Sequence, residues 1–374
     1  MYYRYFTVVL AAAFFLVACS PASVEGTALP SETALPPATE TSVPTTRPPT
    51  IEPVAPTDAS QSALPADWLS QLEIIQPGNW SRLQLLKAFP AEMPLRNTAV
   101  SISQDGRTMV VGSNGGARIF FFDIPSGQLS RTVALGIPDV GAYFNIVGIE
   151  YLPDGTLIVN STGPYQIYHM DDAGNVKSMW DGSSFALSAD KKVLVYGTVE
   201  GVTLVDIANN TPLGSFAIFD ALDYSLAPDG SKIAANVVGV DYADTIVWDI
   251  ASNTQLAKFT ETGNPRYSPD NKFLAVTSYQ YSTTPLRIFT PDGTTELITL
   301  EPGDGNGLFS GAPLWSPDGS ILTVQGSLIA WDTTDWQPLK APALEGSVQS
   351  FSPDGRILVT GDLDGSIMLW GVLP

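Results

Sequence analysis

The side chains that most often carry chemistry are scarce in this chain: among 374 residues there is one histidine, His169, and one cysteine, Cys19. A histidine-rich metal centre needs several imidazoles, and a Cys/His pair needs a thiolate beside its base, so neither is available. Asp304-Gly305-Asn306-Gly307 opens as a calcium loop does, but no Glu follows at the spacing that would complete the ligand set. Neighbouring carboxylates such as Asp362 and Asp364 have the chemistry for acid–base work. Both fall in a turn, however, where Asp is favoured because its carboxylate bonds nearby backbone. No Walker A loop, G-x-S-x-G elbow or haem-attachment motif occurs. The expectation is a chain with no catalytic set, no metal and no cofactor, in which His169, within QIYHMD (166–171), is a structural residue of a strand.

What the chain has instead is a repeated turn. Residues 351–370, FSPDGRILVTGDLDGSIMLW, read as strand, turn, strand, turn, strand. In Ser352-Pro353-Asp354-Gly355, Pro presets φ, Asp follows it well and Gly permits positive φ. Ile357, Leu358 and Val359 form a short unbroken apolar run, the mark of a strand buried on both faces. Asp364-Gly365 turns the chain again before a third strand through Ile367, Leu369 and Trp370. The first turn recurs around Asp105, Asp154, Asp190, Asp229, Asp270, Asp318 and Asp354. The average interval is close to the roughly 40–45 residues of a four-stranded propeller blade. Third-strand endings recur with it, as FFFDI (120–124), TLVDI (203–207), IVWDI (246–250) and IAWDT (329–333). QLAKF (255–259) and ELITL (296–300) follow as fourth strands.

IVWDIASNTQLAKF (246–259) and the last repeat resemble WD40 repeats, and the chain from residue 67 to 374 resembles a WD40-like β-propeller. The resemblance implies an all-β fold: seven blades of four antiparallel strands. The last repeat holds only three strands, so RLQLLKAF (82–89) is expected to supply its outer strand and close the ring, as WD40 proteins usually do. WLSQLEII (68–75) is expected as a short helix or turn packed on the propeller. The hydrogen-bonding set of a WD40 blade maps onto Thr360, Asp364 and Trp370. The Gly-His dipeptide of that family is missing, which leaves its stiffening side-chain network incomplete. SPDG turns also occur in TolB-like and YVTN-type propellers.

The N-terminus carries a different signal. Residues 1–18 contain one charge, Arg4, and an apolar run too short for the roughly 20 residues of a membrane-spanning helix, which fits a signal-peptide core. It ends in Leu16-Val17-Ala18-Cys19, which resembles the lipobox of bacterial lipoproteins. That resemblance implies cleavage before Cys19 and lipid on its thiol and amino groups, hence a protein anchored on the extracytoplasmic side of a bacterial membrane. With no other cysteine, no intramolecular disulfide can form. Residues 20–66 are dominated by Pro, Thr, Ser, Ala and Glu, a composition that buries too little apolar surface to offset the entropy of ordering. They read as a disordered or extended spacer, with O-glycosylation an open possibility of its Ser/Thr/Pro content.

The formal charge of −20 argues against nucleic acid or an anionic membrane surface as a partner. In WD40-like propellers the SPDG turns share one face with the third-to-fourth-strand turns, and the remaining loops lie on the other. The irregular insertions, 136–147, 238–244, 278–285 and 301–312, with 160–165 nearby, all belong to that second face. They are expected to bring Asp139, Tyr143, Phe144, Tyr165, Asp241, Tyr242, Asp244, Tyr279, Tyr281, Asp304 and Phe309 to one rim. Aromatics mixed with carboxylates suit a protein, peptide or glycan ligand. The reading is a non-catalytic, lipid-anchored binding platform. Two alternatives stay open: a lactonase- or YVTN-like enzyme working from the central channel, and a TolB-like envelope assembly factor, commonly six-bladed.

Overall fold

The computed structural model describes residues 64–65, 67–89, 99–113, 115–135, 144–163, 165–198, 200–238, 243–278, 285–301, 311–340, 344–362 and 365–374. Helix α1 (Trp68–Gln71), a 3-10 turn (Pro77–Arg82) and strand β1 (Gln84–Phe89) precede the repeats. Blade 1 is β2 (Val100–Ile102), β3 (Thr108–Gly112), β4 (Arg118–Asp123) and β5 (Gln128–Ala134). Blade 2 is β6 (Asn145–Tyr151), β7 (Leu157–Thr162), β8 (Gln166–Met170) and β9 (Val176–Asp181). Blade 3 runs from β10 (Phe185–Leu187) through β11 (Val193–Thr198) and β12 (Gly201–Asp206) to β13 (Thr211–Phe216). Blade 4 follows as β14 (Ala221–Leu226), β15 (Lys232–Val238), β16 (Ala243–Asp249) and β17 (Thr254–Phe259). Blade 5 is β18 (Thr262–Tyr267), β19 (Leu274–Ser278), β20 (Leu286–Phe289) and β21 (Glu296–Leu300). Blade 6 has β22 (Pro313–Trp315), β23 (Ile321–Val324) and β24 (Ala330–Asp332), and blade 7 has β25 (Ser347–Phe351), β26 (Leu358–Gly361) and β27 (Ile367–Gly371).

Every blade is an antiparallel meander, and the first strands of neighbouring blades touch, β2 with β6, β10 with β14, β14 with β18 and β18 with β22. The last blade returns to the first through β25 and β2, which makes a ring. Its fourth strand is β1, paired with β27 from Gln84 opposite Gly371 to Phe89 opposite Ile367. The N-terminal strand thus closes the seven-bladed propeller as the sequence implied. Blade 6 departs from the pattern: in place of a fourth strand it has one bridge, Trp331 to Pro338. Pro338 has no N–H to give to a ladder, which limits pairing there.

The core is divided among the blade interfaces. Seven buried clusters each join two consecutive blades. Side chains alternate across a strand, so neighbouring residues serve opposite wedges: Leu194 packs between blades 2 and 3, Val195 between 3 and 4. Leu358 and Val359 split in the same way between the 6–7 and 7–1 wedges. This is why the second strands are unbroken apolar runs. The N-terminal segment belongs to these wedges too, with Trp68 and Leu72 in the 7–1 cluster and Ile75, Trp80 and Leu83 in the 6–7 cluster. Glu73 bridges to Val372, and Arg82 pairs with Glu73 at 3.0 Å and donates to the Leu373 carbonyl at 2.8 Å.

Each repeated turn is held by its own side chains. In five blades a Ser hydroxyl donates to the Asp two residues on, at 2.6–2.7 Å in Ser103–Asp105, Ser188–Asp190, Ser268–Asp270, Ser316–Asp318 and Ser352–Asp354. Where that Ser is replaced by Leu152 or Ala227, the hydroxyl moves past the Gly: Thr156 and Ser231 donate to Asp154 and Asp229 at 2.6 Å. The closing strand and wedges make a stability prediction. Leu86→Ala, deep in the 7–1 wedge, should lower unfolding free energy by about 2–5 kcal/mol in urea titrations. Leu213→Ala, a 57% exposed outer-strand leucine, should change it by less than about 0.5 kcal/mol. Equal losses at both positions would contradict the wedge assignment.

Candidate binding face and central channel

An antiparallel meander puts its first–second and third–fourth hairpins at one face and its other connections at the opposite face. Strands β5, β15, β19 and β21 end, and β6, β16, β20 and β22 begin, at that opposite, insertion face. Asp139, Tyr143, Asp241, Tyr242, Tyr279, Tyr281, Asp304 and Phe309 lie outside the described residues, as does Asp364 of the WD40-type set. The other three rim expectations divide. Tyr165 stands in the β7–β8 connection, 52% exposed, with φ of 53°. Phe144 is fully buried in the wedge between blades 1 and 2, beside Ile146 and Ile149, so it belongs to the core and not to the rim. An aromatic residue just ahead of a strand can fold under it, and loop position alone hid this. Asp244 lies on β16, nearly buried and paired with Lys258 at 2.9 Å, so its charge is spent within blade 4.

The described part of the insertion face exposes apolar side chains that the sequence reading did not include. Phe219 is 55% exposed in the connection from β13 to β14. Leu222 and Val238 are exposed beside it, where Val238 donates its N–H to the Asp220 carbonyl at 3.1 Å. Val147 is exposed near the same end of β6. Strict alternation would bury Leu222 with Tyr224 and Leu226. A bulge between Ala221 and Asp223 breaks the register at Leu222 and turns it out, and a bulge between Ile146 and Gly148 does the same to Val147. A one-residue phase change leaves no compositional trace, so these residues were not legible.

The innermost strands bring two carboxylates to the channel, and each has a cation. Asp223 on β14 pairs with Arg266 of β18 at 2.5 Å, and Arg266 also donates to the Tyr224 carbonyl at 3.3 Å. Glu150 on β6 pairs with Lys191 at 2.9 Å. Among the described residues no three His, Cys, Asp or Glu side chains are grouped as metal ligands. His169, on the third strand of blade 2, is 5% exposed, with Nε2 at 2.9 Å from the Thr156 hydroxyl, which itself donates to Asp154. Its Nδ1 is buried without a partner. In blade 7, Trp370 Nε1 donates to Thr360 Oγ1 at 2.9 Å.

These features define a WD40-like seven-bladed β-propeller, a class whose members commonly bind proteins. Residues 344–371, the last blade, match the family model described as WD domain, G-beta repeat. Among solved structures the chain is similar to one titled Kuenenia stuttgartiensis Hydrazine Synthase, with a TM-score of 0.58 and 17% identity over 76% of this chain and 97% of that one. At that identity the likeness is one of fold alone. No curated protein matches the chain.

Ionisation at the turns and at His169 gives a pH signature. The hydroxyls of Ser103, Ser188 and Ser231 hold the carboxyls of Asp105, Asp190 and Asp229 below the usual carboxylate range. In Asp154 and Asp318 burial opposes the shift, and hydrogen bonds from Thr156 and Ser316 outweigh it. Burial, helped by the charge of Lys177, lowers His169 from its ordinary 6.5. For both groups the unfolded chain takes up the proton first, so stability falls with falling pH. A denaturation midpoint should be level between about pH 7 and 9, decline first as pH drops below about 6.5, and decline again below about pH 4. His169→Gln should remove the first decline and keep the second, because no other histidine exists. A first decline that survives in that variant would contradict the assignment.

Proposed function

We propose that this chain is a bacterial envelope lipoprotein whose propeller is a non-catalytic protein-binding platform, with the insertion face as the docking side. Residues 1–18 act as a cleaved signal, Cys19 carries lipid, residues 20–66 are a spacer, and 67–374 form the propeller domain. The observation that carries the platform reading is the exposure of Val147 and Tyr165 on blade 2 and of Phe219, Leu222 and Val238 at blade 4, all at the insertion-face ends of their blades. Aromatic and aliphatic anchors of this kind supply most of the energy of protein interfaces once water is excluded around them. The turn face differs, because its carboxylates are engaged inside their own turns. The channel also favours a platform over an enzyme: Asp223 and Glu150 are each neutralised by a paired cation and have little free capacity as acid or base. Seven blades favour a WD40-like platform over a six-bladed TolB-like factor. The net charge of −20 supports a protein, peptide or glycan ligand and not nucleic acid.

The anchor rests on Leu16-Val17-Ala18-Cys19 followed by a Pro/Thr/Ser-rich spacer. Two or more acyl chains hold a protein stably at a membrane. In a bacterial host, metabolic labelling with an alkyne fatty acid should mark the wild-type chain, and Cys19→Ala should lose both the label and the membrane fraction. Label that persists in the variant would sink the anchor. The docking face is tested by photo-crosslinking in the native membrane. A photoreactive residue at position 219 should give discrete protein adducts, and one at Gly230, on the turn face, should give none. Identical adducts from both positions, or none from 219, would overturn the platform.

A further inference from the structure

One cavity on the turn face is built as a site and is not part of the insertion face. It has a volume of about 410 Å³ and opens between blades 1 and 2, with Asp105, Phe121, Arg131, Tyr151, Leu152 and Asp172 in its walls. One residue of the repeated turn bears on it. In blade 3 the positive-φ turn position is Lys191, whose ammonium reaches back to blade 2 and donates to Glu150 Oε2 and the Tyr151 carbonyl, both at 2.9 Å. In blade 5 it is Asn271, which reaches back to Asp229 Oδ2 at 2.7 Å. In blade 2 the position is Gly155, and a Cβ placed there would meet nothing within 4 Å. No side chain at this turn position reaches from blade 2 to blade 1, and the groove stays open there.

The charged groups of that groove are Arg131, Asp172 and Asp105. Arg131 is already satisfied: it lies 4.0 Å over the Phe121 ring and pairs with Asp172 at 2.8 Å. Asp105 Oδ1 accepts from Ser103 Oγ and the Arg107 N–H, and among the described residues Oδ2 has no hydrogen-bond partner. Tyr151 is 8% exposed and lines the cavity. Burial pushes its hydroxyl up to about 12, with Arg131, Asp172 and Asp105 as the charges around it, so it stays protonated and neutral. The charged groups of the cavity, Asp105, Asp172 and Arg131, sum to one negative charge, and its open charged acceptor is the Asp105 carboxylate.

We propose that this inter-blade cavity binds an alkylammonium group, on a lysine side chain of a partner or on a free amine, which donates to Asp105 Oδ2 as Asn271 donates to Asp229 Oδ2 between blades 4 and 5. Ammonium N–H groups donate to Asp105 Oδ2 and the Tyr151 oxygen, and the alkyl stem lies along Leu152 and Pro153. A carboxylate ligand fits less well, because it would have to displace Asp172 from Arg131 and then sit beside Asp105. Cations are also concentrated by the field of a chain of charge −20.

The test is saturation-transfer NMR and titration of the full chain with n-butylammonium and Nα-acetyl-lysine methylamide, against butyrate and butanol. Both ammonium probes should bind the wild type, and butyrate and butanol should not. Gly155→Asn, which tolerates positive φ as Asn271 does, should abolish binding by filling the groove, with an unchanged unfolding midpoint to show that the blade is intact. Tyr151→Phe should weaken binding roughly tenfold through loss of one hydrogen bond to a charged group. Binding of both probes supports a partner's lysine as the source, and binding of n-butylammonium alone supports a free amine. Butyrate binding in place of the amines, no binding by either amine, or amine binding unchanged in both variants would overturn the proposal.

Discussion

The pairing of β1 with β27 is the interaction on which the rest of the molecule depends. A propeller built from sequential meanders ends with one incomplete blade and two chain ends, and only a strand from the opposite terminus can complete that blade. Here Gln84–Phe89 does so, and the preceding turn and helix extend the grip by placing Trp80, Ile75, Leu72 and Trp68 in the two wedges that flank blade 7. Residues from both ends of the chain thus share one core. The 7–1 wedge joins β26 and β27 to β2–β4, and the 6–7 wedge takes in Ile75, Trp80 and Leu83, so these two wedges carry the non-local closure.

Once the ring is closed, its two faces acquire different chemistry. Hairpins on the turn face are short and self-satisfied, each with a hydroxyl–carboxylate clasp that fixes the first turn of its blade. The insertion face is where the first strands carry bulges, and those bulges turn Val147 and Leu222 outward. A rigid ring of wedges tolerates such local register changes because second and third strands keep the pairing. Variation therefore collects on one face while the other stays uniform, a division suited to recognition on a stable scaffold.

Much of this was legible in the amino-acid order. Seven Asp-centred turns, the apolar second strands and the closing strand at 82–89 all follow from turn chemistry and side-chain period. What escaped were departures of one residue. Strict alternation along β14 and β6 would turn Leu222 and Val147 inward, but a bulge shifts their phase, and Phe144, which reads as a loop aromatic, packs under β6. Blade 6 has a turn like the others, but Pro338 limits its fourth-strand pairing to one bridge. Gly155 is the instructive case. It agrees with the turn pattern better than Lys191 or Asn271 does, and that agreement leaves the groove between blades 1 and 2 unfilled.

Native-state hydrogen exchange of the full chain, followed by mass spectrometry on peptides spanning β1 and β27, tests the closure most directly. If the ring is held by this pairing, the β1 amides bonded to β27 will exchange only with global unfolding, at the same free energy as those of Ile367–Gly371. Fast exchange of β1 while β27 stays protected would mean that Gln84–Phe89 is a frayed appendage, and the account of a propeller closed by its N-terminal strand would fail.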